Sequence, residues 1–123
     1  MAAPALGRIG QIALSVHDMD RAVAFYRDVV GLKFLFQAPN VAFFDVVGVR
    51  LMLGQAEPKD LKPAGTFLYF ESADLDADFS ALKQRGVQVE QEPHFVAKLG
   101  AKDLWMAFLR DPDGNIFALM SER

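Results

Sequence analysis

Two stretches of this chain carry one pattern. Residues 16–32 run Val16-His17-Asp18-Met19-Asp20-Arg21-Ala22-Val23-Ala24-Phe25-Tyr26-Arg27-Asp28-Val29-Val30-Gly31-Leu32, and residues 72–87 run Ser72-Ala73-Asp74-Leu75-Asp76-Ala77-Asp78-Phe79-Ser80-Ala81-Leu82-Lys83-Gln84-Arg85-Gly86-Val87. Each follows an apolar run suited to a strand, opens on Asp-apolar-Asp, has room for about three helical turns, stops at Gly and enters a further apolar run. A repeated unit of this kind folds as two similar halves, and a cleft between such halves is the natural place to look for function. At 123 residues the chain can build one core but not two independent ones, so the halves share a domain.

Local chemistry sets the elements. Asp18 and Asp74 suit helix N-caps, because a short carboxylate accepts from the free N–H groups of the first turn. Val23, Tyr26 and Val30 form an apolar stripe on the first helix, Phe79 and Leu82 anchor the second, and Gly31 and Gly86 are the stops. Strand-like runs cover 9–16, 32–36, 41–47 and 49–53 in the first half, with Gly48 marking a tight turn. In the second half they cover 87–91, 104–110 and 116–120, the last pair joined by Asp111-Pro112-Asp113-Gly114-Asn115, where Pro fixes φ and Gly accepts a positive one. The expected fold is α+β: two βαβββ modules, about 8–56 and about 66–123 with a linker at 57–65, forming a curled mixed sheet around a shared groove.

Composition narrows the function classes. A net charge of −3 with no run of Lys or Arg argues against nucleic acid and against an anionic membrane surface as partners. Cysteine is absent, which removes disulfides, thiolate nucleophiles and Cys-ligated zinc. Met1 to Arg8 holds no basic segment followed by a long apolar one, so neither a secretory leader nor a membrane span is expected, and a cytoplasmic protein is the default.

Ile12-Ala13-Leu14-Ser15-Val16 with Asp18-Met19-Asp20-Arg21-Ala22, then Phe25-Tyr26, Gly31-Leu32 and Arg110-Asp111-Pro112-Asp113-Gly114-Asn115, closely resemble the vicinal oxygen chelate superfamily. That superfamily includes glyoxalase I, fosfomycin-resistance enzymes, extradiol dioxygenases, methylmalonyl-CoA epimerase and the bleomycin-resistance proteins. The resemblance spans nearly the whole chain and implies the fold rather than one reaction. In the metal-dependent members a His or Gln, a Glu, a His and a Glu project into the groove from the first and last strand of each half. Carried over by position, these fall on Gln11, Met52, Phe67 and Ala118. Only Gln11 offers a donor, and divalent ions in such sites need three or four N or O ligands. The resemblance thus implies a family member with a dismantled metal site and no cofactor.

With strand parity as the guide, the groove expects Gln11, Met52, Phe67, Tyr69, Glu71 and Ala118 among its lining, an apolar and aromatic trough, unless these side chains simply pack on one another. His94 is expected in a connection folding over the groove, as a hydrogen-bonding or acid–base group, or else as a surface histidine after Pro93. Trp105 is expected to offer an aromatic face to a flat or cationic ligand, or to pack. Asp45 and Glu71 would reach solvent or pair with Arg50 or Arg110, and His17 reads as structural. No pair of residues has the spacing of a nucleophilic catalytic site, so no catalytic residue is assigned. The expected function is small-molecule binding of the bleomycin-resistance kind, mild acidity favouring a cationic guest. The alternative is a glyoxalase-like lyase, isomerase or dioxygenase that recruits a metal through Gln11 with His94 or Glu71, or works by metal-free proton transfer. A homodimer is implied by the resemblance.

Overall fold

A computed structural model describes residues 4–57 and 67–123 of the chain, so nearly all of the expected linker at 57–65 lies outside the described residues. The first half runs β1 (Gln11–Val16), α1 (Met19–Ala24, prolonged by a π-helical turn, Phe25–Val29), β2 (Lys33–Ala38), β3 (Val41–Val46) and β4 (Val49–Gln55). The second runs β5 (Leu68–Glu71), α2 (Leu75–Gln84), β6 (Gln88–Leu99), β7 (Lys102–Arg110) and β8 (Ile116–Glu122). The expected α+β architecture of two βαβββ units is what the chain adopts. Strand order is β1-β4-β3-β2 in one sheet and β5-β8-β7-β6 in the other. In both, the first strand pairs in parallel with the last and the remaining pairs are antiparallel. The two mixed sheets are not closed into a barrel.

The caps act as the sequence predicts. Asp18 Oδ1 accepts from the Arg21 N–H at 3.2 Å and Asp74 Oδ1 from the Ala77 N–H at 3.1 Å, each worth about 1 kcal/mol. Gly31 and Gly86 end the two helical segments at φ 86° and 84°, where a Cβ would be strained. The first helix departs from expectation after Ala24. There the Val30 N–H reaches back to Phe25 O at 3.0 Å, an i to i−5 bond. The widened turn lets two adjacent aromatics, Phe25 and Tyr26, both enter the core, with ring centroids 5.1 Å apart and perpendicular.

β6 also differs, running to Leu99 instead of stopping near Gln91. Pro93 is tolerated because β6 is an edge strand, and register shifts around Gln91 and His94 absorb the N–H it lacks. His94 therefore sits within a strand, register partner of Met106, and not in a connection over the groove. At the β3–β4 hairpin the strand ends at Val46, and Val47 and Gly48 take positive φ of 48° and 92° to make the two-residue turn.

Each helix covers one face of its own sheet. Leu14, Val16, Ala42, Phe44, Leu51 and Leu53 are buried on the α1 side, while Ala107, Leu109, Phe117 and Leu119 meet Leu75, Phe79 and Leu82 on the α2 side. All belong to one continuous apolar cluster, so the halves form a single core. The 111–115 turn clasps them together. Asp111 Oδ1 accepts from the Asp113 and Asn115 N–H groups at 2.9 and 2.8 Å, shaping the turn from within. Its Oδ2 accepts from the Tyr26 hydroxyl at 2.7 Å and from Asn115 Nδ2 at 3.0 Å. The His17 N–H donates to Asp113 Oδ1 at 2.7 Å, and Asn115 Nδ2 reaches Ser15 O at 3.3 Å. Burial and the Asp111 carboxylate together push the Tyr26 hydroxyl far above a phenol's ordinary pKa. His17 contributes its backbone here, in keeping with a structural reading.

Candidate functional site

Burying one face of each sheet under a helix leaves the other face open, and alternation along the strands decides which residues it carries. In the first sheet β1 buries Leu14 and Val16 and exposes Gln11, Ala13 and Ser15. The register sets Gln11 opposite Arg50, Ala13 opposite Met52, and Met52 opposite Phe43. Gln11 is committed on both atoms of its amide: Oε1 accepts from Arg50 Nε at 2.7 Å, and Nε2 points at Met52 Sδ at 3.8 Å. The Arg50 guanidinium also lies over the Phe43 ring, 5.4 Å from its centroid, and Phe43 packs on Phe36 at 4.7 Å. Of the alternatives open for Asp45, solvent or a partner such as Arg50 or Arg110, no ion pair with either arginine forms. Asp45 Oδ1 accepts from the Gly48 N–H at 3.1 Å and fixes the hairpin turn.

The open face of the second sheet is aromatic. Phe67, Tyr69 and Phe108 form a triangle of rings with centroids 6.2 to 6.5 Å apart. Tyr69 and Phe108 flank Ala118 in the register, and Ala118 is fully buried. Their rings, perpendicular and 6.2 Å apart, meet above the one methyl group between them. A longer side chain at 118 would have to part them. His94 stacks beside Phe108, centroids 6.0 Å apart, extending the platform. Its Nδ1 lies 2.7 Å from Glu92 O, and since a carbonyl only accepts, Nδ1 is the donor of that bond. Tyr69 is about half exposed, at 47%, so the platform is reachable from solvent.

Of the predicted site residues, the fold puts Gln11 and Met52 on one open face, and Phe67, Tyr69, Ala118, Glu71 and His94 on the other. Trp105 does not belong with them. It shares parity with Ala107 and Leu109, packs against the core, meets Phe95 edge-on at 6.3 Å and carries the Arg123 guanidinium 4.3 Å from its centroid. Its position next to Met106 in sequence puts it on the opposite side of the sheet. Sequence reasoning missed Phe43 and Phe108, whose place beside the site depends on cross-strand register, and treated Arg50 only as a partner for Asp45 or Glu71. It missed as well an open polar cavity of about 430 Å³ near the entry of α1, bordered by His17, Asp18, Gln37, Asn40 and Gln55.

A metal of the kind used by the resembling enzymes does not fit these residues. The Gln11 oxygen that would ligate it already accepts from a guanidinium, which repels a divalent ion. Glu71 in β5 and His94 in β6 lie on opposite edges of their sheet, separated by β8 and β7, which is about 14 Å at normal strand spacing. Among the described residues no group of three or more His, Asp or Glu is placed to hold a metal ion. Among the same residues, no helix is long and apolar enough to cross a membrane.

The comparisons with known proteins agree with this fold. The family model of the Glyoxalase/Bleomycin resistance protein/Dioxygenase superfamily matches residues 8–119. The uncharacterised protein YraH of Bacillus subtilis is 30% identical over 129 aligned positions, covering 89% of this chain and 94% of YraH. The metallothiol transferase FosB of Lysinibacillus sphaericus is 27% identical, over 89% of this chain and 78% of its own. Among solved structures, TnmS3, an antibiotic binding protein from Streptomyces sp. CB03234, superposes with a TM-score of 0.74 at 24% identity, covering 98% of this chain and 100% of that one. Repeated unit, strand order and family match lead to one conclusion: the chain belongs to the glyoxalase/bleomycin resistance protein/dioxygenase superfamily.

Proposed function

We propose that this chain binds a small, partly aromatic molecule on its open sheet faces without a resident divalent metal, as a binding module of the bleomycin-resistance kind. One observation carries the reading: the four positions that supply metal ligands in the resembling enzymes are Gln11, Met52, Phe67 and Ala118, and the single donor among them is bonded to Arg50 at 2.7 Å. The positions have not merely lost their donors. Phe67 joins a solvent-accessible ring platform, and Ala118 is the small residue over which Tyr69 and Phe108 meet. Rings stack on flat ligands with little conformational cost, which suits binding and supplies no chemistry of its own.

The functional unit in this proposal is the whole chain, with modules at about 8–56 and about 66–123 arising from duplication and acting in the cytoplasm. A homodimer is included, a second copy giving the open faces the opposing wall that encloses a guest. FosB is a metallothiol transferase and TnmS3, which shares the fold, an antibiotic binding protein, so likeness alone does not choose between an enzyme and a binding module. The platform and the blocked Gln11 favour binding.

A thermal-shift screen of flat aromatic compounds, run with added zinc, manganese or nickel and again with a chelator, tests this. Hits whose shifts are the same in both conditions, and which weaken at least about fivefold in Tyr69→Ser, are expected from loss of one stacking partner. Shifts that appear only with a divalent ion would overturn the proposal in favour of a metal-recruiting enzyme.

A further inference from the structure

The cations of this chain divide by what neutralises them. Arg21, Arg27, Lys83, Lys98, Arg110 and Arg123 each lie within 3.9 Å of a carboxylate oxygen. Arg50 does not. Its Nε donates to the neutral amide of Gln11 at 2.7 Å and its plane rests on the Phe43 ring, while Asp45, its register partner, is turned to the hairpin and bonded to the Gly48 N–H. Two neutral partners orient the guanidinium without cancelling its charge. Nη1 and Nη2 make no hydrogen bond to any described residue, so the end-on fork of the guanidinium is free and its direction is fixed. Arg8 adds a second cation without a carboxylate partner at the same end of the sheet, its Nη1 donating to Gly48 O at 2.6 Å.

We propose that Arg50 is the anion-binding group of the site, taking the carboxylate or phosphoryl oxyanion of a ligand whose apolar body lies on Phe43, Phe36 and Met52. This rests on the small-molecule reading above and adds the ligand's charge, reversing the cationic guest that overall acidity suggested. A net charge of −3 belongs to the whole chain, whereas recognition is decided by the groups in contact, and those at this end of the first sheet are Arg8, Lys33 and Arg50 beside Asp45, whose carboxylate is turned to the Gly48 N–H. Gln11 is a positioning residue in this scheme: holding Nε leaves both Nη groups to meet two oxyanion atoms side by side.

The test is an NMR titration of the 15N-labelled chain with phenylacetate, phenylphosphonate and the uncharged phenylacetamide. At least one of the two anions is expected to bind about tenfold or more tighter than the amide, with the Arg50 Nε–H signal among those that move. The two anionic arms distinguish a carboxylate site from a phosphoryl one. Arg50→Met should bring the preferred anion to within about twofold of the amide, and Arg50→Lys, which keeps charge but not the fork, should fall between. Backbone spectra of both variants report that they are folded, which the exposed position of Arg50 favours. Equal affinity of wild type for anions and amide, an anion preference that survives Arg50→Met, or no anion binding overturns the assignment. Equal binding leaves the small-molecule reading standing and removes only the charge; binding that requires a metal removes the reading itself.

Discussion

In the proposed reading, Ala118 concentrates in one methyl group the difference from the metal-dependent members that the chain resembles. It is fully buried although it lies on the open face, because Tyr69 and Phe108 close over it from the strands on either side. Restoring the family's carboxylate as Ala118→Glu therefore inserts a charged side chain beneath two rings instead of rebuilding a ligand. We expect a loss of about 3 kcal/mol of stability, part overpacking and part desolvation. Urea denaturation measures it, as a lower midpoint with an unchanged slope. A variant as stable as the wild type would mean that the rings part freely and the position can accept a ligand. The sequence alone made Ala118 visible as a missing Glu, since the Asp111–Asn115 turn lies close by and anchors the alignment. That two aromatics had replaced it was not visible, because Phe108 is ten residues away and reaches Ala118 only through the β7–β8 register.

Elements were legible wherever a local signal ended or began them. Asp18, Asp74, Gly31 and Gly86 each do in the fold what their side chains, or lack of one, do in isolation. Signals failed where tertiary packing overrode them: the π-turn at Phe25–Val29 admits a second aromatic to the core, and β6 continues past Pro93 because an edge strand can spare an N–H. Of the two alternatives open for Trp105, a ligand-facing ring or packing, the fold takes packing, because the phase of β7 puts it on the side of Ala107 and Leu109.

The clasp between elements makes its own prediction. Tyr26→Phe removes the 2.7 Å bond to buried Asp111, at a cost of about 2 kcal/mol near neutral pH. The Tyr26 pKa is raised in the folded chain, mainly by burial and then by Asp111, so the hydroxyl stays protonated there when an unfolded tyrosine ionises near 10.0. The unfolded state then binds fewer protons than the folded one, and stability falls as pH rises. The advantage of wild type over Tyr26→Phe is thus full below about pH 10 and shrinks above it. Denaturation of both proteins between about pH 8 and 11 reads this directly; a pH-independent difference would show that the hydroxyl does not seat on Asp111.

At the scale of the molecule, two helices each take one face of a sheet, one turn locks the halves, and the opposite faces are left open, one of them carrying the Phe67, Tyr69 and Phe108 rings. The architecture was readable from the repeat at residues 16–32 and 72–87 because it is local and occurs twice. Of the proposed site, the sequence made legible the four positions carried over from the resemblance, and little of their surroundings. The Gln11–Arg50 bond and the ring platform, which in the proposed reading take the place of metal ligands, arise from pairing across strands distant in sequence. The central claim is that these replacements exclude a resident metal, and elemental analysis of the full chain, purified without chelator, tests it most directly. The expected result is zinc, manganese, nickel and iron all far below one per chain; any one of them near one per chain, and retained through dialysis, would contradict the account.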